Sequence, residues 1–155
     1  MKLIRHTLFA AAALIGLQVL APAHAADKVC KLEITGNDQM QYDKKEMKVA
    51  KDCTSIQVTL KHIGTLPAAS MGHNWTLVKT ADVVGVGNDG LTAGLAADYI
   101  KPGDARVIAH TKVVGGGQSA SVTVPMSKLK AGESYSYLCT FPGHSALMKG
   151  TLTIG

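Results

Sequence analysis

The sequence predicts a single all-β domain, an antiparallel β-sandwich or barrel of seven or eight short strands. Three observations support this prediction. Short segments alternate apolar and polar residues, glycine-rich turn signals separate them, and 155 residues are too few for two ordinary domains. Hydrophobic residues make up 46% of the chain and charged residues 17%, which excludes a disordered or fibrous protein.

The individual strands are predicted from a period-two pattern, in which every second side chain faces the core. The segments with this pattern are 29–34, 56–60, 122–124, 135–138 and 152–154, and segments 75–78 and 107–108 are shorter strand candidates. Turns are expected at 36–38, 115–117 and 131–133, because their glycine, asparagine and aspartate residues favour tight turns. Residues 81–100 instead show loose helical spacing among several glycines. This segment is expected to be an irregular excursion with one or two helical turns.

The first 25 residues are predicted to be a signal peptide. Lys2 and Arg5 give a positively charged start, and an apolar run follows at 8–20. Ala23-His24-Ala25 has the small-x-small pattern that signal peptidases cleave, so the mature domain is expected to span 26–155. The apolar run is too short to cross about 30 Å of hydrocarbon, and we therefore expect export without membrane insertion.

The charge of the chain gives no indication of a nucleic-acid partner. The formal net charge is +5, and loss of the signal peptide would lower it to near +3. The basic residues are not clustered into the stripe that phosphate binding needs. Aromatic residues make up only 5% of the chain, too few for stacking platforms that bind single strands.

Three cysteines in an exported protein suggest one disulfide and one residual thiol. Cys30 opens the first predicted strand, and Cys53 precedes the second. Their pairing would close a loop of about 24 residues and stabilise the fold by roughly 3 kcal/mol. Cys139 would then remain unpaired, either protected or bound to another group.

Metal-ligating side chains are concentrated near the C-terminus. Cys139, His144 and Met148 lie within ten residues of one another, around a Pro-Gly turn that can fold the segment back. His73, in the segment Met71-Gly72-His73-Asn74-Trp75, offers a second imidazole. One thiolate, two imidazoles and a distant thioether form the ligand set of a trigonal blue-copper site, which cycles one ion between Cu(I) and Cu(II).

Other chemistries fit these residues less well. A structural zinc site uses four nitrogen or sulfur ligands and rarely a thioether, and a Cys-His nucleophile pair would lack a nearby carboxamide to orient it. A copper enzyme with a second metal would place a histidine beside the ligand cysteine, but Leu138 and Thr140 flank Cys139. We therefore expect no enzymatic activity. A copper carrier or storage protein is the alternative, although neither a Met-rich segment nor a Cys-x-x-Cys pattern occurs.

Four segments resemble the azurins, a family of small periplasmic blue-copper proteins of bacteria. The matching segments are 36–40, 71–75, 106–112 and 139–151. Four residues separate Cys139 from His144 and three separate His144 from Met148. Plastocyanin-like and pseudoazurin-like proteins have a shorter interval between cysteine and histidine.

The resemblance implies a cupredoxin-like Greek-key barrel of eight strands, with residues 81–100 as an external helical flap. It implies that Cys139, His73 and His144 are the strong equatorial copper ligands, with Met148 and the carbonyl oxygen of Gly72 as weak axial ligands. A disulfide between Cys30 and Cys53 also corresponds to that of the family. The implied protein is a monomeric periplasmic electron carrier.

The resemblance also assigns roles around the metal. Asn74 is expected to link the two ligand segments by hydrogen bonds, and Trp75 to be a buried core indole. Redox partners such as c-type cytochromes, reductases or dehydrogenases are expected to meet an apolar patch at the ring edge of His144. The residues of this apolar patch are Met40, Leu66, Met71, Phe141, Pro142 and Ala146. At His62 the sequence departs from the family, because Ile63 replaces a proline associated with pH-dependent rearrangement.

Overall fold

The computed structural model describes residues 27–155, so the predicted signal peptide lies outside the described residues. Eight strands occur in this part of the chain. They are β1 (Val29–Gly36), β2 (Glu46–Val49), β3 (Ser55–His62), β4 (Thr76–Lys79), β5 (Val107–His110), β6 (Ser119–Pro125), β7 (Tyr135–Leu138) and β8 (Lys149–Ile154). Two α-helices accompany them, α1 (Ala68–Met71) and α2 (Val83–Ala93).

The strands form two sheets, in the orders β1-β3-β6 and β2-β8-β7-β4-β5. The expected all-β architecture is confirmed, but a purely antiparallel arrangement is wrong for two pairs. β1 runs parallel to β3, and β2 runs parallel to β8. Between β1 and β3 the chain passes through β2 in the other sheet, and such a crossover returns a strand in the same direction. A period-two pattern carries no information about strand direction.

The core lies between the two sheets. In β3 every second residue is buried, ending at His62, as the alternating pattern predicts. The indole of Trp75 is fully buried, as expected. The core combines residues of both sheets, among them Ile34, Ile56, Val58, Leu77, Tyr137 and Leu152. This close-packed layer fixes the ends of the strands that carry the candidate ligands.

The flap contains more helix than expected. Helix α2 has 11 residues, about three turns rather than one or two. Its glycines lower the intrinsic helix propensity, so the sequence pattern underestimates its length. Tertiary packing stabilises it instead, because Val86 is buried against Val78 and Leu138. All four residues of β7 are consequently buried, between the core on one face and α2 on the other.

Strand β2 was not predicted, because it has only four residues and lies in a segment rich in charged side chains. It pairs with β8 from Glu46↔Thr151 to Val49↔Ile154. The disulfide between Cys30 and Cys53 is confirmed, with 5.8 Å between the two Cα atoms, and Cys139 is a free, buried thiol. Within residues 27–155, no helix is long and apolar enough to cross a membrane.

Candidate metal centre

Three of the candidate ligands meet in the structure. The donor atoms of His73, Cys139 and His144 all lie within 4.8 Å of one another, and all three residues are buried. The two Nδ1 atoms are 3.2 Å apart, and Sγ of Cys139 lies 3.7 Å from Nδ1 of His144. The sequence places these residues on separate segments, and the sheet brings the segments together.

Local backbone geometry folds the C-terminal ligand segment back on itself. Gly143 adopts a left-handed conformation with φ +81°, immediately before the 3₁₀ turn His144–Ala146. The amide of Met148 donates to the carbonyl of His144 over 2.8 Å, and the amide of Cys139 donates to the carbonyl of Met148 over 2.9 Å. These bonds hold Cys139, His144 and Met148 at one end of the β-sandwich, as the Pro-Gly turn predicts.

The imidazole of His73 is oriented by a backbone carbonyl. Its Nε2 lies 2.9 Å from the oxygen of Asn37, and only a protonated Nε2 can donate to that acceptor. Nδ1 of His73 therefore presents a lone pair to the other two donor atoms. A hydrogen bond from the second ring nitrogen is the usual way in which proteins fix a metal-binding histidine.

The electrostatics of the site suit a cation. Burial lowers the pKa of His73 and lowers that of His144 to about 4, so both rings stay neutral with lone pairs available near neutral pH. Burial also raises the pKa of the Cys139 thiol to about 12, although the backbone amides of Asn74 and Phe141 oppose this shift. A bound metal ion deprotonates a coordinating thiol. The converging sulfur and nitrogen atoms therefore fit a soft metal such as copper.

The two predicted axial groups also lie at this site. The carbonyl oxygen of Gly72 is 3.9 Å from Sγ of Cys139. Met148 is fully buried, and its Cε lies 3.3 Å from the position that a Cβ at Gly36 would occupy. The same Cβ would lie 2.7 Å from Cδ2 of His73, so only glycine allows this close approach. The ligand roles of Gly72 and Met148 stay predictions.

Comparison with known proteins identifies the family. A family model described as copper binding proteins, plastocyanin/azurin family, matches residues 28–155. The chain belongs to the plastocyanin/azurin family. It is 56% identical over 134 residues to azurin of Bordetella pertussis, covering 86% of this chain and 88% of that protein. It is 54% identical over 145 residues to azurin of Pseudomonas aeruginosa, covering 94% and 96% of the two chains.

A solved structure supports the same assignment. The azurin Az-iso2 of Methylomonas sp. strain J superimposes with a TM-score of 0.78 at 40% sequence identity, covering 81% of this chain and 98% of that one. The cupredoxin-like fold expected from the resemblance is thereby confirmed. As a member of the plastocyanin/azurin family, the chain is a blue-copper protein whose His73, Cys139 and His144 can hold one copper ion.

Asn74 links the two ligand segments of this plastocyanin/azurin family member, as expected. Its Oδ1 accepts the backbone N–H of Thr140 over 2.9 Å, and its Nδ2 donates to Oγ1 of Thr140 over 2.7 Å. Nδ2 also donates to the carbonyl of Asp98, and the hydroxyl of Tyr42 donates to the carbonyl of Asn74. Sequence reasoning missed Asp98 and Tyr42, because no motif connects these distant residues to a copper ligand.

His62 lies directly behind the site. Its ring stacks on that of His73 at a centroid distance of 4.3 Å and an interplanar angle of 9°. Nε2 of His62 lies 2.8 Å from the carbonyl of Met71, while Nδ1 accepts the N–H of Gly64 over 3.1 Å. Both ring nitrogens of His62 therefore have hydrogen-bond partners in the backbone.

The predicted apolar patch is only partly exposed. Leu66, Pro142 and Ala146 are exposed, whereas Met40 and Met71 are half-buried. Phe141 is buried, because its ring packs 4.4 Å from that of His144. His144 itself is only 2% exposed, so its ring edge reaches the surface less than expected. The residues around His144 therefore cover the site and leave little of the His144 ring exposed.

Proposed function

We propose that this protein is a periplasmic one-electron carrier in which His73, Cys139 and His144 hold a single copper ion. The observation that carries the proposal is the convergence of three buried donor atoms within 4.8 Å. When bound there, copper supplies a centre that gains or loses one electron between Cu(I) and Cu(II). Met148 and the carbonyl oxygen of Gly72 complete the proposed ligand set as weak axial contacts.

The protein contributes rigidity to this process. The bonds from Asn74 to Thr140 and from His73 to Asn37 hold the donor atoms through protein contacts alone. Ligands fixed in this way move little when the charge of the metal changes, and a small structural change favours fast electron transfer. The buried sulfur is also kept from water and from oxidants that need access to a thiolate.

The exposed residues of the apolar patch are proposed to meet the redox partners. Leu66 is 41% exposed, and the turn that contains Pro142 lies immediately before His144. Apolar contact over a small area suits a short-lived encounter with c-type cytochromes, reductases or dehydrogenases. We further propose cleavage after Ala25, export to the periplasm, a monomeric state and no enzymatic activity.

The alternative function is copper carriage or storage. A carrier exchanges its metal through accessible ligands, but Cys139 and His73 are fully buried and His144 is 2% exposed. Sequestered ligands favour retention of the ion through many redox cycles, so the geometry supports the electron carrier.

Redox titration of the copper-loaded protein tests the proposal. We expect one electron per protein, full reversibility over repeated cycles, and electron exchange with a reduced c-type cytochrome. The zinc-loaded protein is the matched control, because zinc fills the same donors and has no redox chemistry. Loss of the ion at each reduction would instead support copper carriage and would contradict the proposal.

A further inference from the structure

A backbone corner at the end of the flap has an unusual conformation. Asp98 and Tyr99 are consecutive residues with φ +53°, in the left-handed region that side chains other than glycine rarely adopt. This Asp98–Tyr99 corner follows the 3₁₀ turn Leu95–Ala97. Such conformations persist only where the surroundings hold them, so the contacts of both residues are informative.

Asp98 contacts the segment that carries His73 from two directions. Its carbonyl oxygen accepts Nδ2 of Asn74 over 2.7 Å, and Asn74 directly follows His73. Its Oδ1 accepts the backbone N–H of Val113 over 2.8 Å. The next residue, Val114, exchanges backbone hydrogen bonds of 3.0 and 2.8 Å with His73. Asp98 therefore bonds Asn74, which follows His73 in the chain, and Val113, which precedes the backbone partner of His73.

Tyr99 contacts the other ligand segment. Its ring meets that of Phe141 edge-on, with centroids 4.9 Å apart, and the Phe141 ring packs against His144. Helix α2 presses on the same region, because a Cβ at Gly90 would lie 2.7 Å from the carbonyl oxygen of Tyr99 and 2.9 Å from that of Thr140. The corner therefore lies between the flap and both ligand segments.

We infer that the Asp98–Tyr99 corner is a positioning device that holds the His73 segment and the Cys139–His144 segment at a fixed separation. The inference deepens the proposed copper site and rests on it. A glycine would adopt the corner conformation without strain, but it would supply neither the carboxylate nor the ring. The two side chains thus have contacts that account for their presence at unfavourable backbone angles.

Copper release to a chelator tests the role of Asp98 through three variants. Asp98→Ala loses the acceptor for Val113, and Asp98→Gly loses the same acceptor while keeping the backbone conformation. We expect both to release copper about tenfold faster or more, as with other partners of metal ligands. Asp98→Asn keeps an amide oxygen and tolerates the left-handed region, so it should behave like the wild type.

Tyr99 provides an independent pair of variants. Tyr99→Phe keeps the ring that meets Phe141 and should bind copper like the wild type, whereas Tyr99→Leu should release it faster. The electron paramagnetic resonance spectrum of Cu(II) should shift in Tyr99→Leu and Asp98→Gly and stay unchanged in the two conservative variants. Asp52→Ala is the control, because Asp52 pairs with exposed Lys28 beside the disulfide and contacts no ligand segment.

The outcomes separate the inference from the proposed function. Unchanged release and spectra in Asp98→Gly and Tyr99→Leu would overturn the positioning role. A loss of thermal stability in the copper-free variants without faster copper release would overturn it too. If Asp98→Ala does not fold, the Asp98→Gly, Asp98→Asn and Tyr99 variants still test the positioning role. Failure of the wild type to bind copper would instead defeat the proposed function.

Discussion

At the scale of single residues, burial determines what the candidate ligands can do. The thiol of Cys139 is inaccessible and has a raised pKa, so its deprotonation depends on a cation at the site. The two imidazoles are kept neutral by the same burial. Each donor is therefore ready for a metal and poorly suited to acid–base or nucleophilic catalysis.

Ligand substitutions should reveal a hierarchy. Cys139→Ser should abolish the intense visible absorption of the Cu(II) protein, because that band requires a bond between copper and a thiolate. Met148→Leu should keep a blue site with an altered reduction potential, since an axial thioether tunes the metal without holding it strongly. Absorption spectroscopy and voltammetry measure both effects. Equal loss of colour in the two variants would contradict the assigned roles.

Residue types predict the strong donors but not their surroundings. A cysteine, two histidines and a methionine at these intervals are recognisable because few other side chains bind copper. The carbonyl of Asn37, which orients His73, cannot be recognised in this way, because every residue has a backbone carbonyl. The role of Asp98 cannot be recognised from the sequence either, because its contacts depend on how the flap folds back onto the ligand segments.

At the scale of elements, charge pairs fix the flap to the sheet. The guanidinium of Arg106, just before β5, bonds Asp89 in α2 at 2.5 Å and Asp104 at 2.6 Å. These bonds hold the pKa of Asp89 below its usual value and that of Asp104 at about 2. The glycine-rich helix thus receives tertiary support that its own sequence does not show.

Removal of this charge cluster should loosen the flap. Arg106→Gln should speed hydrogen exchange of the α2 amides with little change in the core strands. The support should also depend on pH. Because the folded-state pKa of Asp104 is depressed, its contribution is present above pH 3.8 and lost as the pH falls towards 2.

Lys79→Gln is the matched control, because Lys79 pairs with Glu133 in the turn before β7, outside the flap. Equal acceleration of α2 exchange in both variants would show that the Arg106 cluster has no specific role. The same cluster illustrates a limit of sequence reasoning, because Asp89 and Arg106 are 17 positions apart in the chain and no local pattern links them.

At the scale of the whole molecule, the disulfide that stabilises the fold and the candidate copper ligands lie at different ends of the β-sandwich. The disulfide joins β1 to the segment before β3, while the candidate ligands lie at the His62 end of β3. The sequence correctly predicted seven of the eight strands between residues 27 and 155, five from period-two alternation and two as shorter candidates. It could not predict the parallel pairs, because strand direction depends on connections between sheets.

Loss of the disulfide should lower stability without disturbing the metal. Replacement of Cys30 and Cys53 together with Ser should reduce the free energy of unfolding by roughly 3 kcal/mol, since the unfolded chain regains conformational freedom. Denaturant titration measures this change, and the copper spectrum should stay largely intact. If the double substitution changed the copper spectrum as well as the stability, the disulfide end and the ligand end of the sandwich would be coupled.

The apolar patch should control electron exchange between molecules. Met71→Lys places a charge on both faces of a self-exchange encounter, so the rate at low ionic strength should fall by about tenfold, with partial recovery in salt. Nuclear magnetic resonance line broadening measures this rate. Ser127→Lys is the control, because it adds the same charge in the turn Met126–Lys128 after β6. The backbone N–H of Met126 in this turn donates to the carbonyl of Thr54, beside Cys53. An equal effect of both substitutions would place the exchange surface elsewhere.

The visible absorption spectrum of the Cu(II)-loaded mature chain tests the central claim most directly. A thiolate and two imidazoles around one copper ion predict an intense charge-transfer band and a blue protein. The band should reach its maximum at one copper per chain and disappear reversibly on one-electron reduction. A colourless Cu(II) protein without this band would contradict the proposed copper site and, with it, the electron carrier.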